Sequence, residues 1–423
     1  MRTAIVQCLA LLVPLAPLAH AQEQDQDAAA LALTGSAPPV AESARNWRLF
    51  VEGGAGRAVI RNASLREAPH STQRLSLDLQ VDAPLAPGLR GVLANRLDVD
   101  WQGLAQRNEI NTLKEAYLSW QPRNDVIVDL GRVNQYSGVA IGYNPTDFFR
   151  DGAVRSVVSV DPASIKKNRQ GSVMLRGQVL WEGASLAALY SPGVGAAPSS
   201  APFSANWGAT NPRDRAMLVF SKHLGADFNP QWLLYKEQGA APQFGVNLTR
   251  LLNDATVAYV EWSGGRTSSL LSKTSGWKEE EKFRHRVSTG LTYTTSNKLS
   301  MTLEYEYSGV GLDRDAWTTL PQVSLPAYVR YREVAQSMQE MPTRRATLFY
   351  ATWQDMLVTR LDAAVMVRRN GTDQSRLSWA ELRYRWPRDE LALQWQGGSG
   401  TVLTEYGAAP VRKAWQLLYL HFF

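Results

Sequence analysis

Short stretches in which apolar and polar residues alternate run through most of the chain. In residues 74–81 every second side chain is leucine or valine, and arginine, serine, aspartate and glutamine stand between them. Similar alternation occurs in residues 93–101, 299–307, 357–368 and 390–396. Successive side chains of a strand point to opposite faces, so each stretch predicts a strand with one apolar face and one face that needs water.

Three further features favour a membrane barrel over a soluble sandwich or a soluble barrel enzyme: a predicted secretory signal, an alternation of short and long links, and a terminal aromatic residue. No stretch beyond residue 21 reaches the roughly 18 apolar residues that a membrane helix needs. The chain has 14 tryptophans and 15 tyrosines, most of them near the ends of alternating stretches, which is typical of aromatic girdles. We therefore predict an all-β fold, a transmembrane antiparallel β-barrel of 18 strands. Sixteen strands is the alternative, because residues 183–190, 255–263 and 344–353 have an ambiguous phase.

The first of these three features is the predicted secretory signal. Met1 and Arg2 are followed by a short apolar run with two prolines and by a small-residue cleavage site at residues 19–22. We predict a signal peptide over 1–21, a flexible periplasmic tail over 22–44 and one barrel domain over 45–423. The only cysteine, Cys8, lies in the signal, so the mature chain has no thiol. Removal of Arg2 changes the net charge from +6 to +5.

The links between predicted strands alternate in length. Short links rich in Pro, Asn, Asp and Gly occur at 84–88, 122–125, 181–183, 225–230, 252–254, 296–297, 354–356 and 387–389. Longer polar links occur at 62–72, 105–109, 135–168, 191–212, 237–242, 264–282, 309–343, 369–375 and 400–412. In membrane barrels short turns face the periplasm and long loops face outward, so this rhythm predicts the orientation of the chain.

The sequence ends on a strand with an aromatic face. Trp415, Leu417, Tyr419 and Phe423 share that face with His421. The ending resembles the C-terminal signal that the outer-membrane assembly machinery recognises in bacterial barrels, with His421 as a departure from the usual aromatic. We interpret the four apolar residues as an assembly signal. A buried edge strand of a soluble sheet is the alternative.

No catalytic, cofactor or metal motif is present. The sequence lacks a phosphate-binding Gly-rich loop, HExxH and CxxC, and its five histidines show no ligand spacing. No His/Ser or Asp/His pairing typical of outer-membrane lipases or proteases stands out. We predict that the protein is not an enzyme and that it uses no cofactor or metal.

Charged residues concentrate on the face opposite the apolar one. A charged side chain on the lipid face at mid-bilayer costs roughly 2–4 kcal/mol for Arg or Lys, so these residues predict a wet interior. The selectivity candidates are Arg96, Asp98, Asp100, Glu115, Arg176, Arg284, Arg286, Glu304, Glu306, Arg360, Asp362, Arg368, Glu381, Arg383 and Arg385. Further lumen candidates are Arg48, Glu52, Arg74, Asp78, Arg90 and Asp129.

Two interpretations of this face remain open. The arginines and acids neutralise each other across the wall, or they form a selective path for an anionic, polar or sugar-like solute. The C-terminal half has more arginines, and Arg360, Arg383 and Arg385 are predicted to lie on neighbouring strands facing the lumen. This clustering predicts a weak preference for anions.

Residues 113–150 carry a family resemblance. The segment LKEAYLSWQPRNDVIVDLGRVNQYSGVAIGYNPTDFFR consists of a predicted strand, a tight turn, a second strand and a long loop. It resembles large Gram-negative outer-membrane porins, and the alginate-export barrels share its logic and an 18-strand architecture. The resemblance implies that Glu115, Tyr117 and Arg132 lie near the lumen or its outer mouth. The loop either folds inward to narrow a pore or forms a surface lid.

These observations predict a pore in the outer membrane of a Gram-negative bacterium, reached after secretion across the inner membrane. The pore passes polar or anionic solutes. The alternatives are an export pore for an anionic exopolysaccharide and a plugged barrel that acts through its external loops. The predicted partners are outer-membrane lipid and lipopolysaccharide, the barrel assembly machinery, and a small polar or anionic solute or a polysaccharide. No nucleic-acid partner is predicted.

Overall fold

The computed structural model describes residues 45–61, 66–102, 106–195, 198–199, 201, 203–225, 228–276 and 281–423. The predicted signal peptide and tail, residues 1–44, lie outside this part of the chain.

Eighteen strands form one antiparallel sheet in which each strand pairs with its neighbours in sequence. This confirms the predicted all-β barrel with 18 strands. The strands are β1 Trp47–Arg61, β2 Glu67–Ala86, β3 Leu89–Gln102, β4 Gln106–Arg123, β5 Val126–Val133, β6 Ser172–Trp181, β7 Ala184–Ser191, β8 Arg215–Lys222, β9 Gln231–Glu237, β10 Gln243–Asn253, β11 Thr256–Thr267, β12 Lys282–Thr294, β13 Leu299–Ser308, β14 Arg345–Trp353, β15 Leu361–Asn370, β16 Arg376–Arg385, β17 Asp389–Ser399 and β18 Val411–Phe422.

The sheet closes where β1 pairs with β18. The antiparallel register aligns Phe50 with Phe422, and their rings lie 5.4 Å apart. The backbone N–H of Phe423 donates to Leu49 O at 3.1 Å, which extends the pairing to the last residue. Closure leaves the sheet without a free edge, as an apolar surrounding requires.

The two faces of the barrel differ sharply in polarity. On β13, Leu303 and Tyr305 are 63% and 44% exposed on the outer face, whereas Glu304 and Glu306 are buried on the lumen side. The outer face of β18 likewise exposes Trp415, Leu417 and Tyr419. The alternation in the sequence therefore predicted correctly which side chains of these strands face outward and which face the lumen.

The links have different lengths at the two rims. Short turns such as residues 87–88 and 124–125 form one end, here called the turn rim, where β1 begins and β18 ends. The other end, the loop rim, carries the long links. Several links there are shorter than predicted, among them the link before β2, which begins at Glu67, and the link before β4, which begins at Gln106. Residues 67–72 extend β2 by pairing with the end of β1 instead of forming a loop.

Within the part of the chain that the structure describes, four short helices lie in the loop-rim links. Helix α1 spans Pro162–Lys167, α2 spans Leu270–Ser275, α3 spans Arg314–Val323 and α4 spans Leu325–Ser337. Each begins after an Asp or Ser whose side chain accepts a hydrogen bond from a first-turn N–H. Within the described residues, no helix has the length and apolar character needed to cross a membrane.

The closing strand generates the first prediction. Phe423→Ala, or deletion of Phe422 and Phe423, should lower the yield of folded barrel several-fold. Phe423→Ala removes the ring contact of Phe423 with His421, and the deletion removes the Phe423 N–H bond to Leu49 and the Phe50–Phe422 ring contact at the β1–β18 seam. Heat-dependent gel mobility of membrane fractions measures folded barrel. Phe203→Ala, at a loop residue that is 72% exposed, is the control. An unchanged folded fraction in both C-terminal variants would contradict the prediction.

Candidate functional site in the barrel lumen

The lumen wall of β1 to β4 contains one buried network of ion pairs. Arg96 lies 3.0 Å from Glu52 and 2.9 Å from Asp98, and Lys114 Nζ lies 2.7 Å from Asp78. Three cations and three acids take part, so their formal charges cancel. The members are Glu52, Arg74, Asp78, Arg96, Asp98 and Lys114.

Lys114 was not predicted to face the lumen, because a bulge in β4 changes the phase of the strand. The register of β3 and β4 shifts between Ala94 and Asn95, where Ala94 pairs with Glu115 and Asn95 with Leu113. Lys114 is the additional residue at this shift. Simple alternation across residues 106–123 cannot detect such an insertion.

The lumen wall of β15 to β17 pairs its arginines with acids. Arg383 contacts Glu381 at 2.7 Å and Glu390 at 2.5 Å. Arg385 pairs with Asp362 and lies 3.5 Å from Glu390. These contacts support the interpretation in which charges neutralise each other across the wall.

Arg360 does not belong to that wall. It lies in the exposed turn before β15, with a positive φ of 73°, and its backbone N–H donates to Asp355 at 2.7 Å. The prediction that Arg360 lies on a lumen-facing strand is wrong. The tight turn extends to residue 360, so the strand begins only at Leu361.

The remaining selectivity candidates lie on lumen-facing strand positions or contact the loops. Arg176 Nε lies 2.7 Å from Asp129, and Arg284 donates to Gly309 O at 3.0 Å. Asp100 is half-buried on β3, and Glu115 Oε1 accepts from the Asn134 N–H at 3.4 Å. Arg368 on β15 pairs with Glu306 on β13. Arg286 contacts Glu340 of the 309–344 link, and Glu304 contacts the 134–171 link.

The link between β5 and β6 folds into the barrel. We call residues 134–171 the inner loop. Val158 O accepts hydrogen bonds from Arg74 on β2 and Gln416 on β18, and Asp161 accepts from Tyr350 on β14. The same loop contacts β10, β11 and β13. Of the two alternatives left by the sequence, inward folding is the one observed, and the loop crosses the lumen.

Two buried carboxylates hold the inner loop against the wall. Glu261 on β11 accepts the backbone N–H groups of Val139 and Ala140. Glu304 on β13 accepts those of residues 141, 142 and 143, at 2.8, 3.1 and 3.2 Å. Five consecutive N–H groups therefore point at two acids. We call this arrangement the carboxylate latch.

Glycine allows the backbone to approach the acids this closely. A Cβ at Gly142 would collide with Glu306, and one at Gly138, which has a φ of +94°, would collide with Glu261. Glu261 was missed in the sequence because β11 has an ambiguous phase. The spacing of the two glycines in SGVAIGY is the only signal that could have indicated the close contact.

The adjoining segment NPTDFF, residues 144–149, also anchors the loop. Thr146 Oγ1 donates to Asn247 at 2.8 Å, and Asp147 pairs with Arg169. The Phe148 ring stacks on Tyr235 at 4.5 Å. This segment therefore fixes the loop to β9, to β10 and to its own far end. The sequence alone assigned no role to it.

A second link covers part of the loop rim. We call residues 309–344, which include α3 and α4, the lid. Trp317 Nε1 donates to Asp373 at 2.9 Å, and Tyr328 Oη donates to Leu403 O at 3.0 Å. These bonds join the lid to the links after β15 and β17.

Glu340 joins the lid to the inner loop and to the wall. Its carboxylate lies 2.9 Å from Arg150 of the inner loop and 2.9 Å from Arg286 on β12. Tyr143 and Ser308 donate hydroxyl hydrogen bonds to it. Burial alone would raise the pKa of Glu340, but the two arginines and the two hydroxyls lower it to about 2.

A cavity of about 1280 Å³ occupies the turn-rim half of the lumen. The inner loop borders it with α1, and residues of β1 to β4 and β14 to β18 line its sides. Lys167 on α1 projects into it without an acidic ion-pair partner among the described residues. Burial and the nearby Arg48 lower the pKa of Lys167 to about 8, so the ammonium stays mostly charged at neutral pH. Among the residues that the structure describes, no group of His, Cys, Asp and Glu could hold a metal ion.

No protein-family model matches the sequence. No curated protein matches it either. The similar solved structures include Acinetobacter baumannii OccAB1, with a TM-score of 0.52, 9% identity and coverage of 92% of this chain and 99% of that one. Pseudomonas aeruginosa OccK5 (OpdH) gives a TM-score of 0.53 at 7% identity, with 89% and 98% covered.

The chain has the fold of an outer-membrane porin. A third similar structure, Acinetobacter baumannii OccAB2, is 11% identical, has a TM-score of 0.51 and covers 89% of this chain and 98% of its own. Coverage of nearly the whole length on both sides means that the porin-like fold extends over the complete described barrel.

The Glu340 contacts generate the second prediction. Glu340→Gln should release the lid, because it leaves Arg150 and Arg286 without their carboxylate. Breaking a buried ion pair on one side costs about 3–5 kcal/mol. Hydrogen exchange in α4 should become faster while exchange in the barrel strands stays unchanged. Glu333→Gln, an exposed position on the same helix, is the control.

The same carboxylate gives the pH dependence its sign. The folded-state pKa of Glu340 lies below its ordinary value of 4.5. The ionised carboxylate therefore stabilises the attachment of the lid fully above about pH 4.5, and this stabilisation is lost as the pH falls towards 2. Equal protection of α4 in wild type and Glu340→Gln at neutral pH would contradict this account.

Proposed function

We propose that the protein is an outer-membrane pore that passes small polar solutes, with a preference for anionic ones. The observation that supports this most directly is the cavity of about 1280 Å³, bordered by charged and aromatic side chains inside a barrel with an apolar outer face. A packed or apolar interior would offer no route to a hydrated solute. A wet, charged interior offers such a route. Passage through it needs no chemical step, so the proposal includes no enzymatic activity.

The preference for anions rests on the cations that lack acidic partners. Among the residues around the cavity, Lys167 has no acid within ion-pair distance in the described chain, and Arg48 donates to the neutral Gln80 at 2.7 Å. Arg383 and Arg385 of β16 are engaged by Glu381, Glu390 and Asp362. Fixed charges that are not neutralised locally set which ions enter a pore. The selectivity of this pore is therefore assigned to α1 and β1 more than to β16.

The inner loop limits the size of the solute. It contacts the wall at β2, β14 and β18 as well as at β11 and β13, so it divides the lumen across its width. A folded polysaccharide chain or a wide polymer needs an unobstructed path. The loop therefore favours small solutes over the exopolysaccharide hypothesis.

The outer face and the chain ends suggest the remaining partners. We propose that outer-membrane lipid and lipopolysaccharide surround the apolar face. We further propose that the assembly machinery recognises the face of Trp415, Leu417, Tyr419 and Phe423, after secretion through the predicted signal. The turn rim would then face the periplasm.

The third prediction concerns ion selectivity. In planar bilayers under a salt gradient, the reversal potential of the wild-type pore should show a weak preference for anions. Lys167→Gln should reduce that preference, because it removes a cation from the cavity wall. Lys298→Gln is the matched control, since Lys298 lies in an exposed turn and pairs with Asp355.

Three outcomes would contradict the proposal. A barrel that inserts but conducts no ions would instead support the plugged-barrel hypothesis. A preference for cations in wild type would reverse the proposed selectivity. An equal shift in Lys167→Gln and Lys298→Gln would remove Lys167 from the account.

A further inference from the structure

The inner loop is attached to the wall mainly through its own backbone. Five successive N–H groups, from residue 139 to residue 143, donate to Glu261 and Glu304. Both carboxylates are almost completely buried, at 0% and 1% exposure. Two side chains therefore accept all five of these backbone hydrogen bonds, and a buried N–H that loses its acceptor is costly.

The acids have few other partners that could replace the loop. Tyr259 donates its hydroxyl to Glu304 at 2.6 Å, and Asn144, itself in the inner loop, donates to Glu261 at 3.2 Å. The nearby Lys166 Nζ donates to Ala140 O at 2.6 Å and belongs to the loop as well. Without the loop, two buried carboxylates would therefore lose most of their hydrogen bonds and would need water in its place.

We propose that Glu261 and Glu304 are positioning residues that set the cross-section of the pore by holding the inner loop across the lumen. Loss of their acceptor oxygens detaches residues 139–143 from the wall and widens the path. This inference rests on the proposed pore function. It adds that the solute limit is determined by two wall carboxylates that face the loop backbone and do not line the cavity.

The test is the double variant Glu261→Gln with Glu304→Gln. Glutamine keeps the shape of the side chain but has a single acceptor oxygen, and its amide presents N–H donors to the N–H groups of the loop. Single-channel conductance should rise several-fold, and larger neutral sugars should enter proteoliposomes. Glu381→Gln is the matched control, because Glu381 is a lumen acid whose hydrogen bonds go to Arg383 and Gln394 of the wall.

A tether separates positioning from general destabilisation. A Cβ at Gly245 on β10 would lie 3.1 Å from Thr146 Cγ2, which suits a disulfide between cysteines at the two positions. In the double variant carrying Thr146→Cys and Gly245→Cys, oxidation should restore the small conductance and reduction should remove it. Oxidation of the same cysteine pair without the two glutamine changes should leave the conductance unchanged, because the loop is already held there.

Thiol labelling gives a readout that does not depend on conduction. Ala140 is 0% exposed beneath the latch, and residues 45–423 contain no cysteine. A cysteine at position 140 should be protected from a water-soluble maleimide in the wild-type background and should react several-fold faster in the double variant.

The outcomes distinguish the two proposals. Equal protection of Ala140→Cys in both backgrounds, or unchanged conductance in a conducting double variant, overturns the positioning role. Faster labelling without conduction in any variant supports the positioning role and overturns the pore function. A rise in conductance equal to that of Glu381→Gln assigns the effect to lumen charge and overturns the latch.

Discussion

The structure depends on the hydrogen bonds between β1 and β18. Every backbone N–H and C=O in a lipid-facing sheet needs a partner, because each unsatisfied group in hydrocarbon costs several kcal/mol. A sheet of 18 strands satisfies this condition only if its first and last strands pair, and here they pair from Phe50 to Ile60. Closure then creates two surfaces, an apolar one outside and an enclosed one that can hold charge.

On the enclosed surface, most charged side chains are neutralised by a neighbour of opposite charge. The network of β1 to β4 and the pairs of β15 to β17 place most lumen cations beside acids. Glu261 and Glu304 are satisfied in another way, since they accept backbone N–H groups from the inner loop. The loop is therefore the counterpart of two wall acids, and its position across the lumen follows from their demand for donors.

The lid and the inner loop are mechanically connected. Glu340 belongs to the lid and binds Arg150 of the inner loop and Arg286 of the wall. Ser337 O also accepts the N–H of Gly152, and Gln339 donates to Arg150 O. A displacement of the lid at the loop rim would therefore act directly on residues 150–152 of the inner loop.

The fold was predictable from the sequence, but the arrangement of side chains and loops inside the barrel was not. Alternation gives the faces of strands such as β13, where Glu304 lies between outward Leu303 and Tyr305, because a strand has a strict period of two. That period fails at Lys114, where a bulge inserts one residue, and at Arg360, where a turn extends into the expected strand. The inner loop has no period at all, and its path follows from contacts with residues more than 100 positions away, such as Ala140 with Glu261.

Solute uptake by proteoliposomes tests the central claim most directly. Liposomes that contain the purified full chain should swell in isotonic solutions of small polar solutes, at rates that fall steeply as solute size increases. Swelling should be absent with polysaccharides. A protein that inserts as a folded barrel yet supports no swelling with any solute would contradict the account, as would equally fast swelling with small solutes and with polymers.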